Sequence, residues 1–158
     1  MNPRSPTRRD VLHAGVVTAS ALGLAAARRE EEEPLFRISL AQWSLNRSLR
    51  GMQEPGIDNL EFAATAHDLG IDAVEYVNTF FKDEVESRDY LKEMKTRAAD
   101  VDVKQLLIMC DGLGALGDAD ETKRTKAVEN HYPWVEAAKY LGCHSIRVNA
   151  ASSGTQIS

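Results

Sequence analysis

Residues 129–150 read ENHYPWVEAAKYLGCHSIRVNA, and how they divide decides the fold. The first part continues the run ETKRTKAVENHYPWVEAAKYLG, residues 121–142, whose apolar positions recur at helical spacing, with Val128, Val135, Ala138 and Leu141 facing inward. Pro133 has no amide proton to give, so a kink or restart is expected there. Gly142 falls where a helix ends in a left-handed residue. HSIRVNA then reads as a strand, placing Ile146 and Val148 on one face and Ser145, Arg147 and Asn149 on the other.

The same helix-to-strand step recurs upstream. FRISLAQWSL, residues 36–45, is a first β-rich run, and EPGIDNLEFAATAHDLG sets Phe62, Ala63, Ala66 and Leu69 on one helical face before Gly70. IDAVEYVN supplies a second strand, with Val74 and Tyr76 toward the helices and Glu75 on the opposite face. A helix from Ser87 to Ala99 carries Tyr90, Leu91, Met94 and Ala98 at its core spacing. VKQLLIMCDG follows, apolar enough for a strand covered on both faces. Strands alternating with helices predict an α/β fold with a parallel sheet and right-handed crossovers.

An open doubly wound sheet and a closed eight-stranded barrel both begin in this way. SLNRSLRGMQEPG, after the first strand, lacks the G-x-G-x-x-G spacing that would cradle a dinucleotide, which disfavours that reading.

Chemistry in parallel α/β folds gathers at the carboxyl ends of strands. Here those ends carry Trp43 and Ser44, Glu75 to Asn78, Cys110 and Asp111, and Arg147 with Asn149. Trp43, Glu75, Arg147 and Asn149 are the candidate substrate-pocket residues, Trp43 offering an aromatic face to a sugar ring. Glu75 and Arg147 share a phase and oppose in sign, so an interior ion pair between them is expected. Asp111 has only its position to recommend it as an acid or base, and no catalytic residue is assigned. Neither His131, on a helix, nor His144, at the start of its strand, has partners at metal-motif spacing, so no metal ligand is assigned. Cys110 ends one strand and Cys143 begins the next, too far apart for a disulfide, and both are expected as buried thiols.

The 158 residues, 43% hydrophobic and 27% charged, suit one globular domain. A net charge of -5 argues against a nucleic-acid partner. Near the amino terminus Arg8 and Arg9 precede a small-residue apolar run from Ala14 to Ala27, too short to span a membrane. Residues 1–27 resemble a twin-arginine export signal, which implies a periplasmic protein with no membrane segment in its mature form. Residues 28–35 read as a charged linker and 151–158 as a tail.

ISLAQWSL, GIDAVEYVN, LLIMCDGLG and above all ENHYPWVEAAKYLGCHSIRVNA resemble, in that succession, the sugar phosphate isomerases and epimerases with a xylose-isomerase-like barrel. The resemblance covers Phe36 to Ala150. It implies an incomplete (β/α)8 TIM barrel, the first four parallel strands with intervening helices. It also implies a divalent metal that assists proton movement beside the carbonyl of a sugar or sugar phosphate. In that family the metal-binding Glu, Asp and His come mainly from later strands, so no metal ligand is assignable to these residues. The expectation is therefore the amino-terminal half of an isomerase or epimerase. The alternative is a non-catalytic half-barrel that binds a sugar or pairs with another chain, itself included, through open sheet edges.

Overall fold

The computed structural model describes residues 35–152. The expected export signal, all but the last residue of the expected linker and the tail beyond residue 152 lie outside them. Four strands form one parallel sheet in the order β1-β2-β3-β4: Leu40–Ala41, Ala73–Val77, Lys104–Cys110 and Ser145–Val148. Helical segments fill every connection: the single turn α1 (Asn46–Leu49) with α2 (Phe62–Asp68), then α3 (Arg88–Asp100), then α4 (Glu121–Leu141). The chain is thus α/β with intervening helices, as the alternation predicts. No helix among the described residues is long and apolar enough to cross a membrane.

All three longer helices pack on the same face of the sheet. Val74, Tyr76, Ile108 and Cys110 point into one cluster with Phe62, Ala63 and Ala66 of α2, Leu91, Met94 and Ala98 of α3, and Trp134, Ala137, Ala138 and Leu141 of α4. Burial of this apolar surface is the main stabilising term. A chain of aromatic rings runs through it, Phe62 to Tyr76 to Phe81 to Trp134, with centroids 6.2, 6.1 and 5.2 Å apart and the last two contacts edge-on. The other face is left with Leu107 and Met109 half-buried, so β3 is not covered on both sides as its composition suggested.

Local signals end the elements where physical chemistry requires. The Ser87 side chain accepts from the amide of Tyr90 at the start of α3, and Asp120 accepts from Thr122 and Lys123 at the start of α4. Gly142 closes α4 at φ 88°, its amide and that of Cys143 both donating to the Ala138 carbonyl. Gly70 likewise adopts φ 75° just past α2.

Four further expectations need correction. The first strand has two residues instead of ten, because the chain turns into a 3₁₀ segment at Gln42–Leu45. There the Gln42 side-chain oxygen, not its backbone, accepts the Val77 amide at 2.7 Å, so a side chain replaces the next rung of the ladder. The helix containing Pro133 runs unbroken from Glu121 to Leu141 and does not restart. The carbonyl that Pro133 cannot bond is that of Glu129, an exposed residue within reach of water. The buried face of α4 includes Ala138 and Leu141 as expected but not the two valines: Ala127, His131 and Trp134 are inside with them, while Val128 and Val135 are more than 40% exposed. On α2, Leu69 is exposed, displaced from the core by the turn into Gly70.

Candidate functional site at the carboxyl ends of the strands

Parallel register places side chains of one phase in rows across the sheet. Val77, Met109 and Arg147 are paired neighbours on the face away from the helices, and Glu75, Leu107 and Ser145 form the row below. Trp43, two residues beyond Ala41, which partners Glu75, extends the upper row from the 3₁₀ segment after β1. A recess of about 350 Å³ opens there, lined by Ala41, Trp43, Ser44, Val77, Met109, Asp111 and Arg147. Trp43 is 54% exposed, in contrast to the core Trp134, so its ring is available to a ligand.

The row arrangement explains why the expected Glu75–Arg147 ion pair does not form. The two residues do share a face, but they lie one row and two strands apart, roughly 12 Å at ordinary strand spacing and rise. Glu75 instead accepts a 2.6 Å hydrogen bond from the Ser39 hydroxyl. Arg147 pairs with Asp111 at 3.2 Å. Asn149 completes a closed triangle, donating to Asp111 Oδ1 at 2.7 Å and accepting from Arg147.

Of the four predicted pocket residues, Trp43 and Arg147 line the recess, and Asn149 joins them through Asp111. Glu75 belongs to the lower row. The triangle occupies only Oδ1 of Asp111 and one terminal nitrogen of Arg147. One carboxylate oxygen and the remaining guanidinium protons are left to face a ligand.

Sequence reasoning missed the amides that hold this edge in place. Asn78, 2% exposed, donates to the Asp111 carbonyl at 2.9 Å and accepts the Asp111 amide at 3.0 Å. Its side chain thereby imitates a strand and fixes the backbone from which the carboxylate projects. Gln42, fully buried, accepts from Val77 and donates to Asn59, which in turn donates to the Tyr90 hydroxyl at 2.8 Å. The sequence signal was present in both cases: a lone amide inside, or directly after, an apolar run must find partners if it is buried.

The two histidines weighed as metal ligands each have a local partner. His131 is buried in α4 with Nδ1 2.7 Å from the Ala127 carbonyl, and His144 contacts the Ser145 hydroxyl. Among the described residues no three His, Cys, Asp or Glu side chains converge as a metal-holding group. The resemblance noted from the sequence implies a divalent ion, which takes about six oxygen donors. The recess offers one carboxylate, already engaged by Arg147 and Asn149, so these residues do not fit the ion and no step through it is derived.

Both cysteines are free thiols. Cys110 is buried, but Cys143 is only half-buried because it precedes β4 at the edge of α4. Burial pushes each thiol up to about 12 from a usual 9, with Asp111 adding to the effect at Cys110. Two results follow. Neither thiol of the folded protein should alkylate appreciably with iodoacetamide at pH 8, whereas both should react in urea. Folding favours the protonated thiols, so their contribution to stability is intact below pH 9 and is lost as pH rises from 9 toward 12. Denaturation midpoints measured across that range should fall. Rapid native alkylation at pH 8 would show that these sites are open.

No protein-family model matches the sequence, and no curated protein matches it.

Proposed function

We propose that the protein presents a sugar-binding wall at the carboxyl edge of its sheet, as the amino-terminal half of a xylose-isomerase-like sugar phosphate isomerase or epimerase barrel. The observation that carries the proposal is the grouping of the exposed Trp43 ring with the Asp111–Arg147–Asn149 triangle around one recess. An aromatic platform beside a charged acceptor and donor matches a sugar, which has an apolar ring face and a rim of hydroxyls. Support for the barrel comes from the strand order 1-2-3-4 with helices on one face. A doubly wound sheet would reverse its order and cover both faces.

In this reading the described residues bind and orient. Trp43 stacks on the ring, Asp111 Oδ2 accepts a hydroxyl proton, and Arg147 donates to a carbonyl or hydroxyl oxygen. Isomerisation also needs a base that removes a proton next to the carbonyl. The resemblance places the ligands of the divalent metal that would assist that step mainly on later strands of the barrel. Export to the periplasm by the twin-arginine route belongs to the same proposal.

Calorimetric titration with a panel of aldoses, ketoses and their phosphates tests it. Binding is expected in the millimolar range or tighter, with Trp43→Ala weakening it about tenfold, the loss of roughly 1.4 kcal/mol of ring contact. Equal binding by Trp43→Ala, or none by the wild type, would contradict the reading. A second reading, a half-barrel that pairs with another chain, is favoured by the edges of the sheet: β1 and β4 each have one hydrogen-bonded neighbour among the described strands. A concentration-dependent mass in sedimentation, with no sugar bound, would favour it.

A further inference from the structure

Helix α4 buries one apolar stripe against the sheet and leaves a second one bare. Val128, Tyr132 and Val135 are 43%, 60% and 45% exposed. At 3.6 residues per turn these positions fall within one sector of roughly 60°. The side of α4 toward α3 is a different one, since Pro133, Glu136 and Ala137 line a recess with Val85, Arg88 and Leu91. The bare stripe therefore runs along the flank away from α3, beside the open edge of β4. That strand has β3 as its one neighbour among the described strands. The His144 amide donates to the Leu106 carbonyl of β3, so by alternation the N–H and C=O groups of Ser145 and Arg147 turn outward along the edge. Val148, on the helix face of β4, is exposed as well.

A second copy of the chain fits both features at once. Paired strands lie about 4.8 Å apart, and α4 packs against both β3 and β4. A two-fold axis normal to the sheet, half a strand spacing outside β4, joins the two β4 edges antiparallel. The same axis brings the two α4 helices about 10 Å apart, an ordinary distance for packed helices. They then run antiparallel with their bare stripes in contact, the self-complementary arrangement of an isologous interface. Charge is complementary along them. Glu121 and Lys139 lie about five turns apart, in the same sector as the stripe and at its opposite ends. Antiparallel pairing sets each Glu121 beside the partner's Lys139. Both residues are exposed, and neither is ion-paired within the chain among the described residues. Lys139 also shares a recess with Arg88, Lys95 and the single carboxylate Glu136, so cations are in excess there.

We propose that the flank formed by α4 and β4 is a two-fold interface between two copies of this chain, with Val128, Tyr132 and Val135 at its centre and Glu121 against the partner's Lys139 at each end. The proposal rests on the second reading above, pairing with another chain, and names the partner, the edge and the symmetry. The sugar recess opens on the other face of the sheet, so the two claims are tested separately.

Sedimentation equilibrium of the full chain, from micromolar to sub-millimolar concentration, is expected to show a monomer–dimer equilibrium. Tyr132→Glu, a change at an exposed position, should weaken the dimer about tenfold or more by placing a charge in its apolar centre. Glu121→Lys and Lys139→Glu each set like charges together at both ends and should each weaken it about tenfold. The double variant restores opposite signs and should recover most of the affinity. Both reversals oppose the helix dipole, so recovery in the double variant reports contact across the interface and not the stability of α4. Far-UV circular dichroism verifies that every variant is folded. A monomer at every concentration would overturn the interface and the pairing reading together. A dimer indifferent to Tyr132→Glu and to the single reversals, or one that the double reversal does not recover, would overturn this interface and leave the pairing reading standing.

Discussion

Trp134→Ala is expected to destabilise the protein by about 3–5 kcal/mol, the range for deleting a large buried aromatic side chain. Trp134 is 4% exposed, meets Phe81 edge-on at 5.2 Å and ends the ring series that links α4 through Phe81 to β2 and α2. The neighbours on its own helix, Ala137 and Ala138, are too small to fill the space. A loss of this size is a large part of the roughly 5–15 kcal/mol that holds a domain together. Urea denaturation of wild type and variant, compared by midpoint, measures it. A loss under 1 kcal/mol would mean that α4 does not pack through this ring.

Asn78→Ala is expected to cost about 2 kcal/mol, because it leaves both the amide and the carbonyl of Asp111 without their partner in a half-buried position. The effect reaches beyond stability. Asp111 organises Arg147 and Asn149, so loosening its backbone should also weaken the proposed sugar binding without removing any group placed against the ligand. Asn78→Asp separates the two bonds: a carboxylate still accepts the Asp111 amide but cannot donate to its carbonyl. That variant should fall between wild type and Asn78→Ala in denaturation. Its Asp111 amide should exchange with solvent more slowly than that of Asn78→Ala. Equal stability of all three would show that the β2–β3 end is held by the backbone ladder alone.

How legible this was in the sequence depended on the range of the interaction. Alternation within β2 correctly sent Val74 and Tyr76 to the helices and Glu75 to the other face, since period 2 is local. Gly142 and Gly70 marked left-handed helix ends for the same reason. The partner of Arg147 was not legible, because it depends on register between strands. The pairing places Arg147 level with Val77, above Glu75, and β2–β3 shifts register between Val74 and Glu75.

On α4, Ala138 and Leu141 were legible as inward, but Val128 and Val135 were misplaced because apolar side chains flank the stripe on both sides. Val128 and Val135 compete with Ala127 and Trp134, and hydropathy alone does not choose between them. The volume of Trp134, received by Phe81, does. Within FRISLAQWSL, Gln42 was read as one residue of a strand. It is instead a buried link between β2 and Asn59, visible only once its partners are near.

The central claim is that one recess at the carboxyl edge recognises a sugar, and a titration of uniformly ¹⁵N-labelled protein with a sugar or sugar phosphate tests it most directly. Saturable shifts are expected at the Trp43 indole and at the amides of Asp111, Arg147 and Asn149, with Lys104 and His144 at the opposite end unmoved. Shifts confined to that opposite end, or none at tens of millimolar ligand, would contradict the account.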